Sequence, residues 1–76
     1  MSDLIEDWFN DKKLTYHNIW KCNDTQFPEG TWSWVLFFTE AVIDPTYEYG
    51  VAGSKEEAVA GIKQTIKHKL ESRGLL

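Results

Sequence analysis

TWSWVLFFTEAVI, residues 31–43, decides the fold, because no other stretch of its length is as rich in aromatic and β-branched residues. The composition predicts a central strand. Side chains alternate between the two faces of a strand, so both faces of this strand carry apolar residues. The even-numbered set is the more aromatic and is assigned to the core: Trp32, Trp34, Leu36 and Phe38. The odd-numbered set includes Val35, Phe37 and Ile43.

The two outer strands are predicted on either side of this segment. Residues 14–22 alternate between two sets, of which Leu14, Tyr16, Trp20 and Cys22 is the more apolar. Leu14, Tyr16 and Trp20 are therefore assigned to the core, under the helices. Turn-forming residues fill 23–30. Asp44-Pro45-Thr46-Tyr47 has the pattern of a type I turn leading into a third strand over 47–52. With this turn, Val42 would face Tyr49 and Glu40 would face Val51, which assigns Tyr47, Tyr49 and Val51 to the core.

One helix is predicted at each end of the chain. Residues 3–12 carry Leu4, Ile5, Trp8 and Phe9 at helical spacing, and either Ser2 or Asp3 is available as the N-cap. Residues 55–73 form the second helix, which begins with the capping-box residues Ser54 and Glu57. Its apolar stripe is formed by Ala58, Val59, Ile62, Ile66 and Leu70. Gly61 costs this helix about 1 kcal/mol unless it allows close packing on the sheet. Gly74 predicts a Schellman ending in which Leu70 and Leu75 touch.

The order of these elements predicts an α+β fold, α-β-β-β-α, as a single domain over residues 1–76. A three-stranded antiparallel sheet carries both helices on one face. The opposite face is then open to solvent. On it, the sequence predicts a contiguous apolar patch formed by Ile19, Val35, Phe37 and Ile43.

Composition limits the classes of partner. The chain has 8 Lys and Arg against 12 Asp and Glu, a net charge of −4, which disfavours nucleic acid as the main partner. Its single cysteine and a start without a basic, then apolar, leader predict a cytoplasmic protein. No apolar run approaches the about 18–20 residues of a membrane span, so no membrane association is predicted.

Enzymatic chemistry is not predicted, and neither is any catalytic residue, metal or cofactor. His17 and Cys22 are five positions apart, which sends them to opposite faces of a regular strand. His68 lacks the neighbouring ligands of a metal site. The sequence contains no phosphate loop or nucleotide-binding fingerprint.

The order of the elements and the length of the chain resemble the double-stranded-RNA-binding domain, and two short motifs add to this resemblance. Leu4-Ile5-Glu6 is similar to the Leu-x-Glu of that family's first helix, and residues 53–59, GSKEEAV, are similar to the start of its second helix. The resemblance covers nearly the whole chain and implies the same α-β-β-β-α fold. It also implies RNA contacts from the second helix, at Lys55, Lys63 and Lys67, and from the loop before the second strand. Glu56 and Val59 stand where the family has lysines.

Two hypotheses of function follow. The favoured one is a small acidic non-enzymatic protein-binding module, an adaptor or inhibitor, which acts through the open sheet face or a sheet edge. A homodimer is an alternative use of the same patch. In size and charge the chain resembles small phage-encoded inhibitors. The second hypothesis is binding of double-stranded RNA through the second helix and the loop before the second strand.

Overall fold

The computed structural model describes residues 3–23, 26–39 and 47–75. The elements are α1 (Leu4–Asn10), β1 (Thr15–Lys21), β2 (Trp32–Phe38), β3 (Tyr47–Ala52) and α2 (Lys55–Ser72). The strands form one antiparallel sheet in the order β1-β2-β3, and both helices pack on one face of it. The α+β prediction is confirmed. Residues 40–43 of the predicted central strand and the proposed turn at Asp44-Pro45 lie outside the described residues.

The helix ends carry the signals expected from the sequence. Asp3 caps α1 by accepting a hydrogen bond from the Ile5 N–H at 2.9 Å. Ser54 caps α2 by accepting from the Glu57 N–H at 3.1 Å, and the Glu57 carboxylate accepts from the Gly53 N–H at 3.0 Å. At the other end, a Schellman motif forms. Gly74 has a φ of 71° and the Leu75 N–H donates to the Leu70 carbonyl at 2.9 Å, which satisfies carbonyls that the helix leaves unpaired.

The core lies between the sheet and the helices. Leu36 and Phe38 of β2 are buried against one stripe of α2, formed by Ala58, Ile62, Ile66 and Leu70. Trp8 of α1 closes one side of this core. Thr15 is buried beside it, and its hydroxyl donates to the Trp8 carbonyl at 2.5 Å. A buried polar group is stable only when it is hydrogen-bonded, so this contact explains why a threonine fits here.

Trp34 fills the space between two glycines, one on the sheet and one on the helix. A Cβ added to Gly50 of β3 would lie 2.7 Å from Cζ2 of the Trp34 ring. A Cβ added to Gly61 of α2 would lie 3.2 Å from the indole nitrogen of the same ring. Gly61 thus permits the close packing of helix on sheet that the sequence suggested.

The faces of both outer strands differ from the sequence prediction. Trp34 pairs with Ile19 of β1 and with Gly50 of β3. Residues paired across strands share a face. The helix side therefore takes Thr15, His17, Ile19 and Lys21 from β1, with Glu48, Gly50 and Ala52 from β3. The open side takes Tyr16 and Trp20 from β1, with Tyr47, Tyr49 and Val51 from β3.

The strand register accounts for this difference in β3. Tyr49 pairs with Val35 and Val51 pairs with Ser33, so the predicted pairs Val42–Tyr49 and Glu40–Val51 are wrong. Tyr47 pairs with Phe37 and not with Asp44, as the predicted turn required, so the pairing is shifted by an odd number of residues. Side chains alternate with a period of two, so this shift moves every residue of β3 to the opposite face.

Candidate functional site

The side of the sheet away from the helices is the candidate site. We call it the open face; its residues alternate along the three strands, and they are Tyr16, Asn18, Trp20, Ser33, Val35, Phe37, Tyr47, Tyr49 and Val51. Most of its large side chains are exposed: the exposed fraction is 72% for Tyr49, 43% for Trp20 and 41% for Phe37. An exposed group of apolar side chains of this kind is the usual mark of an interaction site.

An aromatic row crosses the open face at one end. Tyr16, Phe37 and Tyr47 pair directly across the three strands. The ring centroids of Tyr16 and Phe37 are 6.4 Å apart, and those of Phe37 and Tyr47 are 5.2 Å apart and stacked. Tyr49 continues from Tyr47, with its ring centroid 5.7 Å away. Centroid distances of 5.2–6.4 Å are within the range in which aromatic pairs attract each other, so the rings stabilise one another on the surface.

A groove of about 510 Å³ occupies the other end of the open face. Ser33 and Val35 of the central strand form its floor. Trp20 lies on one side, and Tyr49 and Val51 lie on the other. The complete lining also includes Phe27, Trp34, Tyr47 and Gly50.

The described residues of the open face are uncharged. None of its nine described residues is acidic or basic, although the whole chain carries a net charge of −4. The charged residues of the described strands, Lys21 and Glu48, belong to the helix side, where Glu48 forms an ion pair with Lys69 of α2 at 3.5 Å. The open face can therefore bury apolar surface without the desolvation cost of a charge.

Comparison of the chain with protein-family models, with curated proteins and with solved structures found no match.

The predicted binding patch is only partly on the open face. Val35 and Phe37 are there, next to each other along β2. Ile19 is not: it pairs with Trp34 and packs against the helix-side core, so its assignment to the patch is wrong. Ile43 lies outside the described residues. The structure supplies other large side chains to this surface in place of Ile19, namely Tyr16, Trp20, Tyr47 and Tyr49.

The open-face residues that the sequence prediction wrongly assigned to the core are mostly tyrosine and tryptophan. Tyrosine and tryptophan combine an apolar ring with a polar tip, which suits them to a surface that is partly exposed to solvent. The hydrophobic pattern scored them simply as apolar and assigned them to the core. Three of the four tyrosine and tryptophan residues on the open face, Tyr16, Tyr47 and Tyr49, are tyrosines with more than half of their surface exposed.

The candidate nucleophile and base lie apart. His17 is on the helix side, where its ring stacks on Phe9 with 4.4 Å between centroids. Burial lowers the pKa of His17 below the 6.5 of an ordinary histidine. Cys22 follows β1 and its sulfur lies 2.6 Å from the Ser33 hydroxyl. His68 of α2 contacts Gln64, with 3.1 Å between their nitrogens.

Within residues 3–23, 26–39 and 47–75, no group of three or more His, Cys, Asp and Glu side chains could hold a metal ion. In the same part of the chain, no helix is long and apolar enough to cross a membrane.

The lysines suggested for RNA contact all belong to α2. Lys55 and Lys67 are exposed, whereas the Lys63 ammonium donates to the Glu6 carboxylate and lies 5.0 Å from the centre of the Phe9 ring. Lys63 thus joins α2 to α1. Glu56, beside Lys55 in the first turn, is exposed as well and places negative charge where a phosphate would approach.

Proposed function

We propose that this protein is a small acidic non-enzymatic protein-binding module, an adaptor or inhibitor, that acts through the open face. One observation carries the proposal: a sheet face rich in exposed aromatic side chains, with neither a charged residue on it nor a helix over it in the described part of the chain. We place the protein in the cytoplasm because its one cysteine has no partner for an internal disulfide.

The exposed rings supply most of the area that one partner buries in a standard interface. Aromatic side chains can bury about 150–250 Å² each, and the six exposed rings on and beside this face are about half exposed on average. They therefore offer on the order of 600 Å² of apolar surface. A standard interface buries about 800 Å² on each partner. Aromatic residues at the centre of such an interface contribute most of the binding energy.

The test is capture of a partner by a variant in which the face is charged. Phe37→Asp places a carboxylate at the centre of the aromatic row, where Phe37 is already 41% exposed, so the core is unaffected. We expect the wild-type protein to capture a partner from native extract that the variant does not. Lys67→Asp, on the exposed side of α2, is the matched control and should retain the partner. Capture of the same proteins by wild type and Phe37→Asp would refute the proposal.

Two further measurements test the alternatives, formation of a homodimer and binding of double-stranded RNA. The solution mass of the purified protein reports whether a second copy covers the open face. Titration with duplex RNA at low salt tests the nucleic-acid hypothesis, because binding through Lys55 and Lys67 would weaken steeply as salt is added. Duplex RNA that binds wild type and Phe37→Asp equally would assign function to α2 and not to the sheet.

A further inference from the structure

The shape of the groove comes from the size of the residues across the sheet. Trp20, Ser33 and Val51 form one cross-strand row, with the small residue on the central strand. Neighbouring strands are about 4.8 Å apart, so the backbones on either side of Ser33 are separated by about 10 Å. This trough is wide enough for one extended chain. It ends at the aromatic row, where the larger Phe37 stands on the central strand.

The backbone of a peptide bound in the groove would find no hydrogen-bond partners in the backbone of β2. The N–H and C=O groups of β2 are used within the sheet, because β2 pairs with β1 on one side and with β3 on the other. An ordinary β-strand lying in the groove would therefore bury N–H groups without acceptors, which is costly. Proline has no N–H group, and the polyproline II helix needs no internal or ladder hydrogen bonds.

The side chains of the groove complement such a segment. Proline rings are apolar and uncharged, as are Val35, Val51 and the ring surfaces of Trp20 and Tyr49. The carbonyl groups of a polyproline II segment need donors, and the tyrosine hydroxyl and the indole N–H are donors. Residues 33–37 of β2 extend over about 13 Å, which matches about four residues of polyproline II at ~3.1 Å each.

We infer that the groove binds a proline-rich, uncharged segment of a partner protein in the polyproline II conformation. This inference rests on the proposed protein-binding function and specifies the chemistry of the partner. Trp20 and Tyr49 flank the segment, and Ser33 and Val35 lie beneath it. Such a ligand loses little conformational entropy on binding, because proline already restricts it to this conformation.

The experiment is a titration of the isotope-labelled full chain with a synthetic peptide of about ten residues that repeats Pro-Pro-Leu. We expect saturable shifts of the amide signals of Ser33, Val35 and Tyr49. A peptide with alanine at every proline should bind at least about tenfold more weakly. Trp20→Ala should weaken binding by at least about tenfold, as for a central aromatic anchor. Tyr49→Ala should also weaken binding, and it should not destabilise the fold because Tyr49 is the most exposed of the rings.

Tyr16→Ala is the matched control, because Tyr16 lies on the open face but outside the groove. It should change the affinity less than about threefold. Absence of binding by wild type, equal binding of the alanine peptide, or unchanged affinity in both Trp20→Ala and Tyr49→Ala would overturn the inference. So would a second copy of the chain, or a single-stranded thymidine oligonucleotide, that saturates the groove in place of the peptide.

The two proposals fail in different ways. If the peptide does not bind but Phe37→Asp still loses a native partner, the groove inference is wrong and the protein-binding function stands. If Phe37→Asp captures the same proteins as wild type, the protein-binding function itself is wrong.

Discussion

Replacement of Gly50 by alanine should destabilise the protein, although alanine normally stabilises a strand relative to glycine. The added Cβ would lie 2.7 Å from Cζ2 and 2.8 Å from Cε2 of Trp34. Carbon atoms prefer about 3.5–4.0 Å. Trp34 is only 8% exposed, and Gly61 of α2 stands on the other side of its ring, so the ring has little room to withdraw.

The magnitude follows from two opposing effects. Overpacking of a core typically costs about 1–3 kcal/mol, whereas alanine in place of glycine gains about 0.5–1 kcal/mol from backbone entropy. The net loss in the free energy of unfolding should be about 1–2 kcal/mol. For a domain of this size, each kcal/mol lowers the midpoint of thermal unfolding by about 4–8 °C.

Gly61→Ala is the matched control, because it adds the same methyl group on the opposite side of the same ring. Its Cβ would lie 3.2 Å from the Trp34 indole nitrogen, a milder contact, and helix propensity gains about 1 kcal/mol. The stability of this variant should stay within about 1 kcal/mol of wild type. The double variant closes both sides, so it should lose at least about 0.5 kcal/mol more than the two single effects combined.

Denaturant unfolding followed by circular dichroism measures all four proteins without relying on tryptophan emission. If Gly50→Ala is as stable as wild type, or if the two substitutions are additive, then Trp34 is not confined between the glycines as we describe.

Two other predictions concern Thr15 and His17, polar residues on the helix side of β1. Thr15→Val should lower the free energy of unfolding by about 1–3 kcal/mol in the same assay, because the Trp8 carbonyl loses its hydrogen bond in a buried site; Thr39→Val, at an exposed threonine, should cost less. Burial lowers the pKa of His17 in the folded state, so below about pH 6.5 the unfolded chain binds more protons than the folded protein. Lowering the pH from 7 through this range should therefore reduce the free energy of unfolding. His17→Phe, which keeps a ring against Phe9, should flatten this part of the pH profile; an unchanged profile would show that His17 is not responsible.

The sequence was sufficient for the order of the elements and for both helix ends, because those depend on local chemistry. The Ser54 cap and the Gly74 ending are formed by residues within a few positions of each other. The choice of core face for the central strand was also correct, since Trp34, Leu36 and Phe38 are buried.

The hydrophobic pattern was not sufficient to predict which face of each outer strand packs against the helices. In β1, Tyr16 and Trp20 are more apolar than Thr15 and His17, yet the helix side holds Thr15, whose hydroxyl has a partner in the Trp8 carbonyl. In β3, Gly50 faces the helices because Trp34 needs the space that a side chain would take. Both reasons are contacts with another secondary-structure element, which the pattern within a single strand does not contain. Val35 and Phe37 of the candidate site were therefore predictable from β2 alone, whereas its tyrosines and Trp20 required the register.

The contact between Cys22 and Ser33 makes the open face chemically addressable. Cys22 is the single thiol of the chain, it is only partly buried, and its sulfur lies 2.6 Å from a hydroxyl on the floor of the groove. A thiol-reactive fluorophore or spin label therefore attaches at one position, beside the surface of interest and away from the helix-side core. Occupancy of the groove can then be followed with an optical or magnetic signal, without changing any of the aromatic side chains.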